Sequence, residues 1–168
     1  NMGNAYGELE EYEKSMEYYK KALKIREELL SPVHFYISYV YNEIGYTYGK
    51  LEKYEMSLEY YQKSLKINKE LLPNNHLSIA STYNKIGAVY MVLSEYEKCL
   101  EYYQKSLKIL LESLPPTSSV VIKTYDNIGK VYRKLGKYEN SLKYYQKILE
   151  IREKISSSSD LETAITYD

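Results

Sequence analysis

A step of 42 residues runs the length of the chain and constrains its fold more than any other feature: Ile44-Gly45 returns at Ile86-Gly87 and Ile128-Gly129, and Met2-Gly3 completes the series. The same step carries "YEKSMEYYKKALKI" (12–25) into "YEMSLEYYQKSLKI" (54–67), "YEKCLEYYQKSLKI" (96–109) and "YENSLKYYQKILEI" (138–151). All but Tyr36, Tyr39 and Tyr46 of the 23 tyrosines fall into columns at this step. One column is Tyr41, Tyr83, Tyr125 and Tyr167; another is Tyr6, Tyr48, Tyr90 and Tyr132; a third is Tyr12, Tyr54, Tyr96 and Tyr138. The Tyr-Tyr pairs at 18–19, 60–61, 102–103 and 144–145 supply the rest. Self-similarity at such a period marks a repeat array, in which each copy buries its apolar face only against its neighbours. The 168 residues therefore divide into units 1–42, 43–84, 85–126 and 127–168 of a single array.

Each unit reads as two helices. In "SIASTYNKIGAVYMVL" (78–93), Ile79, Tyr83, Ile86, Tyr90 and Leu93 recur at spacings of three and four, which places them on one helical face. A break is expected at Gly136 and its equivalents Glu10, Glu52 and Ser94. The second helix starts at the tyrosine and carries Leu58, Tyr61, Leu65 and Leu72 along one stripe, with exposed pairs such as Glu59 and Lys63 on the other. The turns "LSPV" (30–33), "LPNN" (72–75), "LPPT" (114–117) and "SSSS" (156–159) are in register. Pro and Asn end a helix, and Ser or Asn can cap the next, so all four are expected to be loops between units.

Two columns of small residues carry the packing argument. Glycine inside a helix costs about 1 kcal/mol relative to alanine. Gly3, Gly45, Gly87 and Gly129 repeat that cost, which implies a close helix crossing; Ser15, Ser57, Cys99 and Ser141 form a second small column on the partner helix. Cys99 therefore reads as a packing residue rather than a reactive thiol.

Composition and motifs narrow the function. Basic and acidic side chains balance at 23 each, so no overall field favours nucleic acid. No apolar run reaches the ~18 residues of a membrane span. One cysteine leaves no internal disulfide and fits a reducing, cytoplasmic location. His34 and His76 share a turn column and read as capping or packing residues. No Cys/His cluster has metal spacing and no glycine-rich phosphate loop follows a strand, so neither enzymatic activity nor a cofactor is expected.

Tyr125, Ile128-Gly129, Tyr132, Gly136, Tyr138, Ser141 and Tyr145 resemble the aromatic, Leu-Gly, Tyr, Gly, Tyr, Ala, aromatic signature of the tetratricopeptide repeat. The long unit and "LPNNHLSIASTYNKIG" (72–87) are most similar to the repeats of kinesin light chain and its relatives, which carry a similar Gly-Pro-Asp-His-Pro turn. There are departures: Tyr stands for Trp in the first aromatic column, Ser or Cys for Ala, and Ile148 replaces Ala22, Ser64 and Ser106, a change expected to alter packing against whatever follows. The resemblance implies an all-α, right-handed superhelical solenoid of antiparallel helix pairs. It also implies a protein-interaction scaffold whose first helices line a concave groove for a peptide or partner segment.

Asparagines on the first helices of such relatives hold a peptide backbone, and an amide offers both donor and acceptor for that task. The matching residues are Asn42, Asn84 and Asp126, with Asn1 and Asn127 at the next position. Helical spacing adds Tyr39, Tyr46 and Lys50 in the second unit, and Ser81, Ala88, Met91 and Val92 in the third. The fourth adds Lys123, Lys130, Arg133 and Lys134, so the expected partner carries acidic residues near that unit. The competing reading is a solvated face with no ligand.

The array shows no polar capping unit. "LETAITYD" (161–168) matches the start of a first helix, with Tyr167 and Asp168 in their columns. The first and last helices read as incomplete, which suits an excerpt of a longer array. The alternative is a structural protein that stacks head to tail. Residues 1–42 carry five basic and seven acidic side chains, and residues 123–155 nine and four, which would favour such association.

Overall fold

The computed structural model describes residues 2–31 and 33–166, with side chains through residue 156. Eight helices follow one another among the described residues: α1 (Met2–Glu8), α2 (Tyr12–Leu29), α3 (Phe35–Lys50), α4 (Tyr54–Leu71), α5 (Leu77–Val92), α6 (Tyr96–Ser113), α7 (Ser119–Lys134) and α8 (Tyr138–Thr166). No strand occurs among them, and none is long and apolar enough to cross a membrane. The helices pair as α1–α2, α3–α4, α5–α6 and α7–α8, and each pair packs on the next through α2–α3, α4–α5 and α6–α7. The result is an all-α repeat solenoid.

The short breaks inside the units are built identically. Glu10, Glu52, Ser94 and Gly136 have φ of 60°, 58°, 59° and 70°, the left-handed conformation that stops a helix. In the second unit the Lys53 amide donates to the Tyr48 carbonyl at 2.9 Å and the Glu52 amide to the Gly49 carbonyl at 3.2 Å. These two bonds satisfy carbonyls that the helix end leaves open. The following helix begins at its tyrosine every time. Leu72, expected within the second-helix stripe, instead lies one residue past α4, its amide donating to the Asn68 carbonyl at 2.9 Å.

The loops between units start the next helix through histidine. The Nδ1 atoms of His34 and His76 accept from the amides of Tyr36 and Ser78, both at 3.2 Å. Ser118 stands at the same position before α7 without a side-chain cap. The fourth turn departs from expectation: α8 runs through the serine tract at 156–159 to Thr166 with no break. Serine lacks the ring that blocks a helix, whereas the other three turns contain proline. Tyr167, Asp168 and Asn1 lie outside the described residues.

The tyrosine pairs explain the aromatic columns. The second member lies against the glycine: a Cβ on Gly45 would sit 2.8 Å from the Tyr61 ring, and one on Gly87 would sit 2.9 Å from that of Tyr103. The first member lies between two first-helix columns. Tyr60 meets Tyr41 and Tyr48 at ring centroids of 5.8 and 5.5 Å, Tyr102 meets Tyr83 and Tyr90 at 5.9 and 5.5 Å, and Tyr144 meets Tyr125 and Tyr132 at 5.8 and 5.5 Å. The small column does more than leave space. Ser15, Ser57 and Ser141 donate to the carbonyls of Gly3, Gly45 and Gly129 at 2.8, 2.6 and 2.8 Å, tying the two helices of a unit together.

Cys99 fills the equivalent place in the third unit and is fully buried, which pushes its thiol pKa up to about 12. Ile148 is buried in its own unit, in the core cluster against which Ile122 packs. Ile122 and Ile148, which line one depression between α7 and α8, stand in the columns of Ser38 and Ser64, whose hydroxyls lie 2.9 Å apart between α3 and α4.

Candidate functional site

The first helices α3, α5 and α7 lie side by side, and two neighbouring depressions open between them. One of about 480 Å³ is lined by α5 and α7 through Ser81, Asn84, Ala88, Lys123 and Asn127, with Leu110 from α6 and Leu114 just past its end. The other, about 330 Å³, is lined by Phe35, Tyr39, Asn42 and Glu43 of α3 and by Ser81 of α5. Leu77, Ser81 and Lys85 line both, so the two form one continuous surface. Apolar walls with a few polar groups are the usual make-up of a binding surface.

The asparagine column is less open than its spacing implies. Asn42 Nδ2 donates to Ser64 Oγ at 2.6 Å and reaches Thr82 Oγ1 at 3.4 Å. Asn84 Nδ2 donates to Thr124 Oγ1 at 3.2 Å. The bonds to Thr82 and Thr124 join α3 to α5 and α5 to α7, so the amides hold consecutive first helices in register, while the bond to Ser64 ties α3 to α4. Their donors are engaged within the protein. The exception is Asn84 Oδ1, which is buried and has no partner. Asp126, in the same column, accepts from Lys130 Nζ at 2.6 Å.

The remaining candidates divide between surface and core. Tyr46 is exposed with the Lys50 ammonium 5.5 Å from its ring centre, while Lys134 and Arg133 are exposed at the end of α7. Asn127 and Lys123 face the larger depression, and Ala88 and Val92 are exposed on α5. Met91 packs against the core and lines neither depression. The face thus passes from aromatic residues on α3 through small and apolar residues on α5 to a basic α7.

Lys85 and its surroundings escaped the sequence reading. Its ammonium lies 3.5 Å from Asn42 Oδ1 and 5.8 Å from the centre of the Tyr61 ring. Burial pulls its pKa below the usual lysine value, and the Glu43 carboxylate opposes that shift. Beneath it, Ser38 Oγ donates to Asn68 Oδ1 at 2.6 Å. On the other side, Tyr19 OH donates to Asn4 Oδ1 at 2.7 Å and reaches Glu43 Oε2 at 3.3 Å. The available clue was the column next to the asparagines, which changes from Glu43 to Lys85 to Asn127.

No curated protein sequence matches the chain. Among solved structures, BtubC (BKLC) from P. vanneervenii superposes with a TM-score of 0.86 at 21% identity, over 92% of this chain and 62% of that one. A Podosopora anserina protein assigned as a kinesin light chain, with nearly identical TPR-like repeats, gives 0.76 at 14% identity over 91% and 72%. The apo form of RapI gives 0.78 at 27% identity over 98% and 57%. The chain therefore spans 62% of the length of BtubC and 57% of that of RapI. The family model described as Tetratricopeptide repeat matches residues 1–70, 78–154 and 120–168. The chain belongs to the tetratricopeptide repeat family.

Proposed function

We propose that the chain is a protein-interaction scaffold that holds a peptide or partner segment against the face of α3, α5 and α7. The observation that carries this reading is the continuous pair of depressions sharing Leu77, Ser81 and Lys85. Both are lined by Lys85, whose pKa burial holds below the usual lysine value. The apolar walls favour a segment carrying at least one apolar side chain. Lys123, Arg133 and Lys134 are exposed and enter no ion pair among the described residues, which favours acidic residues toward α7. Binding, rather than catalysis, is the role assigned, and buried Cys99 suits a reducing compartment such as the cytoplasm.

Panning a displayed random-peptide library against the chain tests this. Enriched peptides should lose affinity for Ala88→Arg, which fills the larger depression, and keep it for Lys66→Glu on the exposed face of α4. They should carry acidic residues and weaken with Lys134→Glu. Failure to enrich peptides, or enriched peptides indifferent to Ala88→Arg, rejects the groove reading.

A second reading, structural stacking of copies head to tail, draws on a different observation: residues 1–42 carry five basic and seven acidic side chains, and residues 123–155 carry nine and four.

A further inference from the structure

The two depressions on the first-helix face meet along a ridge made by Leu77, Ser81 and Lys85, the residues that line both. These three follow one another along a single stripe of α5. Helix pairs stack on both sides of the α5–α6 pair, and the ridge stays open between them. A segment that occupies both depressions must cross this ridge. Its side chains then fill the space on either side, and its main chain passes over Lys85.

Two opposite charges border this crossing without meeting. Glu43 lines the smaller depression from α3 and Lys85 lines it from α5. The carboxylate acts on the ammonium across the gap between these helices, yet the two close into no ion pair among the described residues. Each is also short of partners, since an ammonium can donate, and a carboxylate accept, several hydrogen bonds. Lys85 Nζ has one acceptor, Asn42 Oδ1, at the long distance of 3.5 Å, and otherwise rests 5.8 Å from the centre of the Tyr61 ring. The Glu43 carboxylate has the Tyr19 hydroxyl at 3.3 Å, but that phenol gives its proton to Asn4 Oδ1 at 2.7 Å. Burial keeps water from the ammonium, and a desolvated charge with unmet hydrogen bonds holds a new partner strongly.

A cation drawn to Glu43 is opposed by Lys85, and an anion drawn to Lys85 is opposed by Glu43. A neutral group with a donor at one end and an acceptor at the other satisfies both. A trans peptide unit is such a group, its C=O and N–H pointing in opposite directions, and it is what a segment presents where its main chain crosses the ridge. We infer that Glu43 and Lys85 clamp one main-chain peptide unit of the bound segment, Lys85 donating to its C=O and Glu43 accepting from its N–H. The clamp reads no side chain, so it sets the register of the segment, and the depressions on either side read its sequence. This inference rests on the groove reading, and its test separates the two.

Calorimetric titration of a peptide enriched on the wild-type chain tests it, with analogues in which each backbone amide in turn becomes an ester. An ester lacks the N–H and has a weaker carbonyl acceptor. One interior ester should lower affinity for the wild-type chain about ten-fold, as expected for loss of a hydrogen bond to a charged group. Lys85→Met and Glu43→Met should each weaken the all-amide peptide by a similar factor. The sensitive ester should then cost little more, because its partner is gone. The ester series needs no variant, and a wild-type-like melting transition verifies the fold of the two that are used. The inference is overturned if every ester binds as tightly as the amide, or if both variants keep wild-type affinity. It is also overturned if ester and variant effects simply add, or if the variants respond to a side-chain amide of the peptide and to no main-chain one. Each of these results leaves the groove reading standing, whereas failure to enrich any peptide overturns both.

Discussion

Gly87 and Tyr103 act as one residue shared between two helices. The glycine leaves the room that the ring occupies, and a Cβ there would approach it to 2.9 Å. Alanine would gain about 1 kcal/mol of helix propensity, but forcing a buried ring to move costs typically about 1–3 kcal/mol. Gly87→Ala should therefore lower stability by about 1 kcal/mol, measured as a shift of the urea midpoint at constant slope. An unchanged or raised midpoint would show that the ring moves freely. The glycine column was legible in the sequence because its cost repeats in every unit. Its partner was not, since nothing in the spacing says that a tyrosine ring, rather than a backbone, fills the gap.

At the scale of the element, each first helix stops at a residue with positive φ, and only the fourth unit uses glycine there. A non-glycine residue in this conformation carries a strain of about 1–2 kcal/mol. Ser94→Gly should therefore stabilise the chain by up to about 1 kcal/mol, after the extra entropy glycine loses on folding. A lower melting temperature than wild type would contradict this. The position of these breaks, and the start of each second helix at its tyrosine, could be read from four aligned copies. The serine tract misled for a physical reason. Its register with three loops implied a turn, but helix interruption in those loops depends on proline, and serine alone does not forbid another helical turn.

For the whole molecule, tyrosine is both core and electrostatic liability. Burial raises the phenol pKa of Tyr19, Tyr61, Tyr103, Tyr125 and Tyr144, and that of Tyr41 to about 12, where the Glu27 carboxylate adds to the burial effect. Each folded phenol holds its proton to higher pH than it would in the unfolded chain, where the pKa is about 10. Above about pH 10 the unfolded state therefore binds fewer protons, and stability falls as pH rises through that window. The stabilisation is fully present at neutral pH. Denaturant midpoints should be flat from neutrality to about pH 9 and then decline, with phenolate absorbance appearing together with the loss of helical signal. Tyrosines that ionise near pH 10 while the chain remains folded would contradict this.

The sequence by itself determined the all-α repeat array, its helix pairs, its packing columns and the face its first helices share. These follow from a code repeated within each unit and expressed over one or two helical turns, so four copies average out the exceptions. The tertiary structure alone decided what the candidate site exposes. Asn42 and Asn84 bond to threonines 40 residues away, and Met91 packs against the core rather than the candidate face. Lys85 comes to rest beside Asn42, 43 residues distant. Such contacts depend on the angle and distance at which one helix pair stacks on the next. Spacing along a single helix places a side chain on a face, but only stacking determines what else has already claimed that face.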